Sequence, residues 1–416
     1  MSACGLDFGT SNTTLGTLRD GAPVLAALED GKTTIPSAVF FPLDAAPLIG
    51  RAAVEAYVDG HSGRLMRSLK SVLGSGLIDE TTPVGGARVR FRDVIATYLS
   101  AVKARAEASA DTALDQVVHG RPVHFVDDDP EGDAKAEATL RKIADEIGFS
   151  EVSFQFEPIA AAFDYEREIA REQIALIADI GGGTSDFSIV RLSPVRHARA
   201  DRQADILAND GVRIGGTDFD RKLSLGTIMP LLGFRSAMKR AGLDVPSRYF
   251  HELATWSSIN RLYTSGTLRE LAQVRREAVR PDLIDRLARV LDEQRGHTLA
   301  IDVEAAKIDL SDADQAAVSL DWIEAGLEAS IGRGDLERHT SDLASRIARR
   351  VGNCLRQAGL RAEALDALFL TGGSARLPHV RRAITAAAPA ARLVDGDTFG
   401  AVGKGLTVEA ARRYGS

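Results

Sequence analysis

Gly5-Leu6-Asp7-Phe8-Gly9-Thr10-Ser11-Asn12 and Ala178-Asp179-Ile180-Gly181-Gly182-Gly183-Thr184-Ser185-Asp186 are the two stretches that decide how this chain is read. In each, an apolar run ends on an aspartate, passes one more apolar residue and enters glycine followed by small hydroxyl residues. They differ by about one inserted glycine. A single turn of this kind is what any tight β-hairpin shows. A matched pair at long spacing predicts two equivalent lobes, each offering an anion-binding hairpin to a shared cleft.

The residue types say what such a hairpin binds. Glycine lets backbone N–H groups approach phosphate oxygens with no Cβ in the way, and the turn forms a concavity for an anion. Thr10, Ser11, Asn12, Thr184 and Ser185 add neutral donors. Asp7 and Asp179 would repel phosphate directly. They make sense with a hydrated Mg²⁺ between, held from opposite sides, because that ion keeps several waters and takes one or two carboxylates.

Working outward, Ala3–Phe8, Gln116–Val126, Val152–Phe156, Ile174–Ala178, Phe187–Val190 and Ala367–Leu370 read as strands, and helical spacing fills most of the rest. Arg51–Tyr57, Gly63–Leu73 and Phe91–Ala108 carry the apolar spacing of helices. Asp127-Asp128-Asp129-Pro130 reads as a solvated loop capping the helix that follows, in preference to a metal site. Arginines of 275–295 alternate with acids, as on a salt-bridged solvated face. Leu343, Ile347, Val351 and Leu355 make one face of a long helix, with Cys354 beside them in the core. Alternating strands and helices make the class α/β.

Bulk properties narrow the partners. With 416 residues the chain suits two domains, and 44% hydrophobic with 26% charged residues is a globular composition. A net charge of −7 does not favour nucleic acid or an anionic membrane. No apolar run approaches the roughly 20 residues of a membrane span. Two cysteines, Cys4 and Cys354, fit a reducing, cytoplasmic setting better than a disulfide framework. Met1-Ser2 leads straight into the first strand, leaving no room for a signal peptide.

Four more stretches complete a pattern: Glu157-Pro158-Ile159-Ala160-Ala161-Ala162, Gly215-Gly216-Thr217-Asp218-Phe219-Asp220, Val303-Glu304-Ala305-Ala306-Lys307-Ile308-Asp309-Leu310-Ser311 and Thr371-Gly372-Gly373-Ser374-Ala375-Arg376. Together with the glycine turns, and in the same order, they resemble the nucleotide-binding domain of the DnaK-type heat-shock chaperones, within the actin-like ATPase superfamily. Short DnaK-like proteins of the YegD type look closest. The resemblance implies an actin-like ATPase fold with two lobes, each a mixed, ribonuclease H-like sheet flanked by helices, and a nucleotide cleft between. Lobe I would be 1–173, with an insertion at about 40–113 and the C-terminal helix of 395–416 packing back on it. Lobe II would be 174–394, with a helical insertion at about 223–300.

Carried over residue by residue, the resemblance implies ATP or ADP with Mg²⁺. Asp7, Glu157 and Asp179 would organise the metal through water, and Thr184 would sit beside the attacking water. Gly9, Thr10, Ser11, Asn12, Gly181, Gly182, Gly183, Thr184, Gly215 and Gly216 would meet the phosphates. Glu304, Lys307, Ser311, Gly372, Gly373, Ser374, Arg376 and Asp397 would hold the adenosine. Two departures stand out. The family's lysine after Gly-Asp-Ala-Ala is replaced: the matching stretch is Gly50-Arg51-Ala52-Ala53, and Val54 follows. That predicts slow hydrolysis, with Arg51 and Lys70 as substitutes for which spacing gives no argument. The chain also stops where the nucleotide-binding domain stops, without the peptide-binding sandwich and lid. The expected function is a slow, Mg-dependent ATPase acting as a nucleotide-switched clamp in protein folding or assembly, a monomer with an unidentified protein client or co-chaperone. The alternatives are a catalytically weak ATP-binding scaffold, a filament-forming ATPase of the actin kind, or a small-molecule kinase using Asp186 as base.

Overall fold

The structure, a computed structural model, describes residues 2–84, 87–126, 129–197, 199, 201–394 and 400–415. The chain divides into two compact units. The first comprises 1–212, 349–375 and 384–416, the second 213–348 and 376–383.

The first unit holds two mixed sheets of the same topology. In one, β1 (Ala3–Phe8) is central. It pairs antiparallel with β2 (Asn12–Arg19), which carries β3 (Ala22–Leu25) and the short β4 (Ile35–Pro36). On its other side β1 pairs parallel with β5 (Gln116–Arg121), followed by β6 (Glu151–Phe156). In the other sheet the central strand is β7 (Gln173–Ile180). It pairs antiparallel with β8 (Ser185–Leu192), and β9 (Ile206–Val212) lies beyond. Its parallel neighbours are β10 (Ala367–Thr371) and β11 (Arg392–Val394). The repeated motif in the sequence is therefore a repeated strand–hairpin–crossover unit.

Register corrects the expected inserted glycine. Phe8 faces Thr13 and Asp7 faces Thr14; Ile180 faces Ser185 and Asp179 faces Asp186. The hairpins are of equal length and close alike, with Gly9 N–H donating to Asn12 O at 3.0 Å and Gly181 N–H to Thr184 O at 2.9 Å. Asn12 is thus the counterpart of Thr184, and Thr14 of Asp186.

Strand alternation sorts the first sheet's side chains onto two cores. Cys4, Leu6, Phe8 and Val117 pack with Val94, Tyr98 and Leu99 of helix Phe91–Ala110 and with Leu140 and Ile143 of helix Pro130–Glu146. Ala3 and Val118 face the opposite core, shared with Ile159, Phe163, Ala175, Ile177 and Leu406. There the last helix, Ala401–Tyr414, lies directly on backbone. A Cβ on Gly5 would come 2.2 Å from Thr407 N, and one on Gly405 would come 1.9 Å from Ala160 O.

The inserted segments differ in part from the sequence reading. Gly63–Arg67, expected in a helix, is a strand paired with Ala38–Pro42, and only a 3₁₀ turn, Leu69–Val72, follows it. Gly63 cannot carry a side chain there, since its Cβ would meet Phe41 O at 2.4 Å, and a glycine-led five-residue segment gains more from ladder bonds than from one helical turn. Asp129 caps helix Pro130–Glu146 by accepting from Gly132 N–H at 3.0 Å, while Asp127 and Asp128 lie outside the described residues. The second unit is mainly helical, with helices Gly216–Thr227, Ser265–Glu277, Pro281–Asp292 and Gly296–Asp309 and a hairpin of Gln315–Ser319 with Glu328–Gly332. Its exposed arginines pair with acids (Arg275 with Asp285, Arg280 with Asp282, Arg289 with Glu293), the solvated face expected from their alternation. Among the described residues no helix is long and apolar enough to cross a membrane.

Candidate functional site

Asp7 and Asp179 each stand one residue before the end of β1 and β7, so each carboxylate sits at the neck of its hairpin. Glu157 joins them from the first turn of helix Glu157–Ala161. The chain leaves β6 directly into that helix, and Pro158 needs no N–H there. Gly120 makes room, since a Cβ on it would reach 3.3 Å from Glu157 Cγ.

The fourth member is Lys70, on the 3₁₀ turn Leu69–Val72. Its Nζ donates to Glu157 Oε1 at 2.5 Å, with the two side chains only 10% and 16% exposed. Burial alone would lower the Lys70 pKa, but Glu157, Asp7 and Asp179 outweigh it and raise it, so the ammonium stays charged. Burial pushes Asp7 up to about 8, with Glu157 and Asp179 adding and Lys70 opposing. Burial and the Glu157 charge push Asp179 up to about 6. One cation is too little for this cluster, which leaves room for a second.

Of the two substitutes named for the lysine that Val54 replaces, the structure places Lys70, and not Arg51, at the carboxylates. Val54 packs elsewhere, against the small cluster of Ala38, Phe40, Ala53 and Ala56. Arg51 is bound by Glu29 and Thr34 O. The positive charge comes from 16 residues beyond Val54 on the chain.

Around these charges the hairpins meet. A Cβ on Gly182 would lie 2.0 Å from Ser11 Oγ, so a side chain there would force that hydroxyl to turn away. Thr184 Oγ1 donates to Asp186 Oδ2 at 3.0 Å. Burial in the concave floor, with Asp179 nearby, pushes Asp186 up to about 7, although solvent still reaches its outer side. The segment after β10 passes close beneath the second hairpin. Gly372 has φ +79°, and a Cβ on it would come 2.5 Å from Asp179 Oδ1. Ser374 Oγ donates to Gly181 O at 3.4 Å. A pocket of about 40 Å³, enough for two or three waters, is lined by Glu157, Asp179, Asp186 and Thr371 with Pro122 and Asn209. The larger surface groove along helix Pro130–Glu146 offers no free charge from Arg121, which is held by Asp133 and Glu137.

Of the remaining expected residues, Gly215, Gly216, Glu304, Lys307, Ser311 and Arg376 lie in the second unit, and Gly372, Gly373 and Ser374 in the first. Gly215 N–H donates to Asp218 Oδ2 at 3.0 Å, which caps helix Gly216–Thr227. Lys307, buried, holds Asp220 at 2.7 Å and donates to Gly216 O at 3.4 Å; Glu304 stands one turn earlier on the same helix. Arg376 pairs with Asp312 at 2.7 Å, and Ser311 precedes that aspartate. Asp397 lies outside the described residues. Sequence reasoning named Lys70 only as one of two substitutes without a spacing argument, and Asp186 only as a kinase base, and it did not pair Asp186 with Thr184.

Two like mixed sheets, each ending in a glycine hairpin beside a shared group of carboxylates, define an α/β protein of the actin-like ATPase fold. The chain belongs to the Hsp70 family: the model for "Hsp70 protein" matches residues 76–227 and 285–412. It is similar to proteins named "Chaperone protein HscA homolog". Those of Aromatoleum aromaticum and Laribacter hongkongensis are each 28% identical, over 92% of this chain and 53% and 54% of their own length. That of an Azoarcus species is 27% identical, over 92% of this chain and 53% of its own. The chain spans about half the length of the curated relatives it matches.

Proposed function

We propose that this chain binds Mg·ATP and hydrolyses it, its nucleotide state switching its hold on a protein partner. The observation that carries this reading is Lys70 held among Asp7, Glu157 and Asp179 beside the two hairpins. The donor set suits Mg²⁺: three hard carboxylate groups, two with raised pKa values, under-neutralised by one lysine. Among the described residues no three such side chains converge tightly enough to ligate a metal directly, in keeping with contact through water. When bound, the ion neutralises phosphate charge.

The chain's own groups have distinct parts in this proposal. Gly9, Thr10, Ser11 and Asn12 and Gly181, Gly182, Gly183 and Thr184 supply donors to the phosphates. Lys70 adds positive charge where the phosphoryl group separates. Thr184 orients the attacking water, and Asp186, with its raised pKa, takes the water's proton. Gly215 and Gly216 approach the phosphates, while Glu304, Lys307, Ser311, Gly372, Gly373, Ser374, Arg376 and Asp397 serve adenosine. The lobes at 1–173 and 174–394 and a client or co-chaperone partner belong to the same proposal. So does a monomer in a reducing cytoplasm, which the two buried free cysteines support. With Lys70 in place, Val54 no longer argues for a non-hydrolysing scaffold.

Isothermal calorimetry with Mg·ATP, and again in EDTA, tests the core of the reading. Binding at micromolar nucleotide that weakens without Mg²⁺ is expected. No heat up to millimolar Mg·ATP would overturn it.

A further inference from the structure

Backbone amides grip an anion only if the carbonyls of the same loop are turned away and satisfied. In a trans peptide the C=O and the N–H of the next residue point in opposite directions. Fixing the Gly9 and Ser11 carbonyls therefore fixes the Thr10 and Asn12 amides. One residue does both. Ser37 N–H donates to Ser11 O at 2.9 Å, and Ser37 Oγ donates to Gly9 O at 2.7 Å.

Behind Ser37 runs a buried chain of hydroxyls. Thr13 Oγ1 is 3.1 Å from Ser37 Oγ. Since the single Ser37 hydroxyl proton goes to Gly9, Thr13 must donate to Ser37. The Tyr98 hydroxyl donates at 3.4 Å to Ile35 O, two residues before Ser37 on the same segment. Thr13 and Tyr98 are fully buried and Ser37 is 2% exposed. No water competes for these bonds. The second hairpin has a parallel device, because Gly181 O is taken by the Ser374 hydroxyl. Two hairpins of equal length, each with its first glycine carbonyl held by a serine from a separate segment, make a local packing accident a poor account of Ser37.

We infer that Ser37, backed by Thr13 and with its segment held by Tyr98 at Ile35 O, is a positioning residue that turns the Thr10 and Asn12 amides of the first hairpin toward the phosphates of a bound nucleotide. It touches no phosphate itself. The inference rests on the nucleotide-binding reading above and deepens it by naming what preorganises the donor loop.

The test compares wild type with Ser37→Ala, Ser37→Thr and Tyr98→Phe, using Mg·ATP and adenosine as probes in calorimetry, and the melting temperature of each protein without nucleotide. Ser37→Ala leaves the Gly9 carbonyl unpaired and free to swing inward. It should bind Mg·ATP about tenfold more weakly, with adenosine affinity unchanged. Ser37→Thr keeps the hydroxyl and should restore Mg·ATP affinity to within about threefold, and Tyr98→Phe should lose about threefold. Looser packing alone would instead lower the melting temperature and weaken both probes alike, or neither, and that result would overturn the inference. So would Mg·ATP affinity of Ser37→Ala matching wild type. If Ser37→Ala does not fold, Thr13→Val, which removes the donor to Ser37, decides, and undiminished Mg·ATP affinity there overturns the inference. Failure of the wild-type chain to bind Mg·ATP is a separate outcome that removes the underlying reading as well.

Discussion

Lys70 is the residue whose placement matters most for chemistry. Its ammonium reaches Glu157 and feels Asp7 and Asp179, so it can hold a triphosphate's separating phosphoryl group as well as balance the carboxylates. Lys70→Ala should leave Mg·ATP affinity within several-fold of wild type and slow single-turnover hydrolysis by roughly 10²–10³. An unchanged turnover would remove Lys70 from the reaction. The sequence could show Asp7, Asp179 and Glu157, because each stands where an apolar strand ends and a glycine turn or a Pro-started helix begins. It offered Lys70 beside Arg51 as a substitute cation but gave no spacing to choose between them. That lysine sits 87 residues from Glu157, on a one-turn 3₁₀ segment after a strand, in a stretch whose apolar spacing read as helix. A motif slot counted along the chain pointed to Val54, whereas the fold fills the charge requirement from a different segment.

Helix Ala401–Tyr414 illustrates how an element is placed by what its residues lack. Glycines on both sides of the contact let backbone lie on backbone, and Gly405→Ala would drive a Cβ into Ala160 O, which cannot move aside. Its urea midpoint should fall by the equivalent of about 2–3 kcal/mol. Gly76→Ala, with open space around it, should stay within about 0.5 kcal/mol of wild type. Helix Pro378–Ala387 makes a different point through His379. Burial lowers its pKa from 6.5 to about 4, with Glu337 opposing and Arg382 reinforcing, while its Nε2 meets Thr340 Oγ1 at 2.9 Å and its ring packs on Phe219. The unfolded chain takes up a proton below pH 6.5 that the folded chain refuses. The neutral-His contribution is thus complete above pH 6.5 and is lost as pH falls toward 4, by up to about 3 kcal/mol. Urea midpoints measured from pH 7 to 4 should drop less steeply for His379→Gln than for wild type. Equal slopes would show that other groups govern acid stability. Elements with sustained periodicity, such as Phe91–Ala110 and the long helix Arg333–Gln357, were legible from spacing alone. The short hairpin of Thr81–Val84 and Ala87–Arg90 was not, since four-residue strands hold too few residues to show a period.

For the whole molecule, the repeat seen in two short motifs extends to two sheets with the same order of parallel and antiparallel neighbours, and the carboxylates gather where their hairpins meet. Asp7, Lys70, Glu157, Asp179 and both hairpins belong to the first unit, so binding of a ligand there should stabilise that unit as a whole. Linkage sets the size of the effect. Free Mg·ATP at a hundred times its Kd adds about 2.7 kcal/mol to stability if the unfolded chain does not bind it. For melting units of this size that is a rise of roughly 3–5 °C. EDTA should abolish most of the rise, because the clustered carboxylates then meet triphosphate without an intervening cation. Asp179→Ala tests the same coupling from the protein side. It removes a carboxylate whose pKa burial and Glu157 already raise, so the protein without nucleotide should melt no lower than wild type, while the Mg·ATP-induced rise should disappear. A variant that melts like wild type and still gains the full 3–5 °C would mean that the two hairpins do not act on one metal-bound triphosphate, and the shared role assigned to the repeat would fail with it.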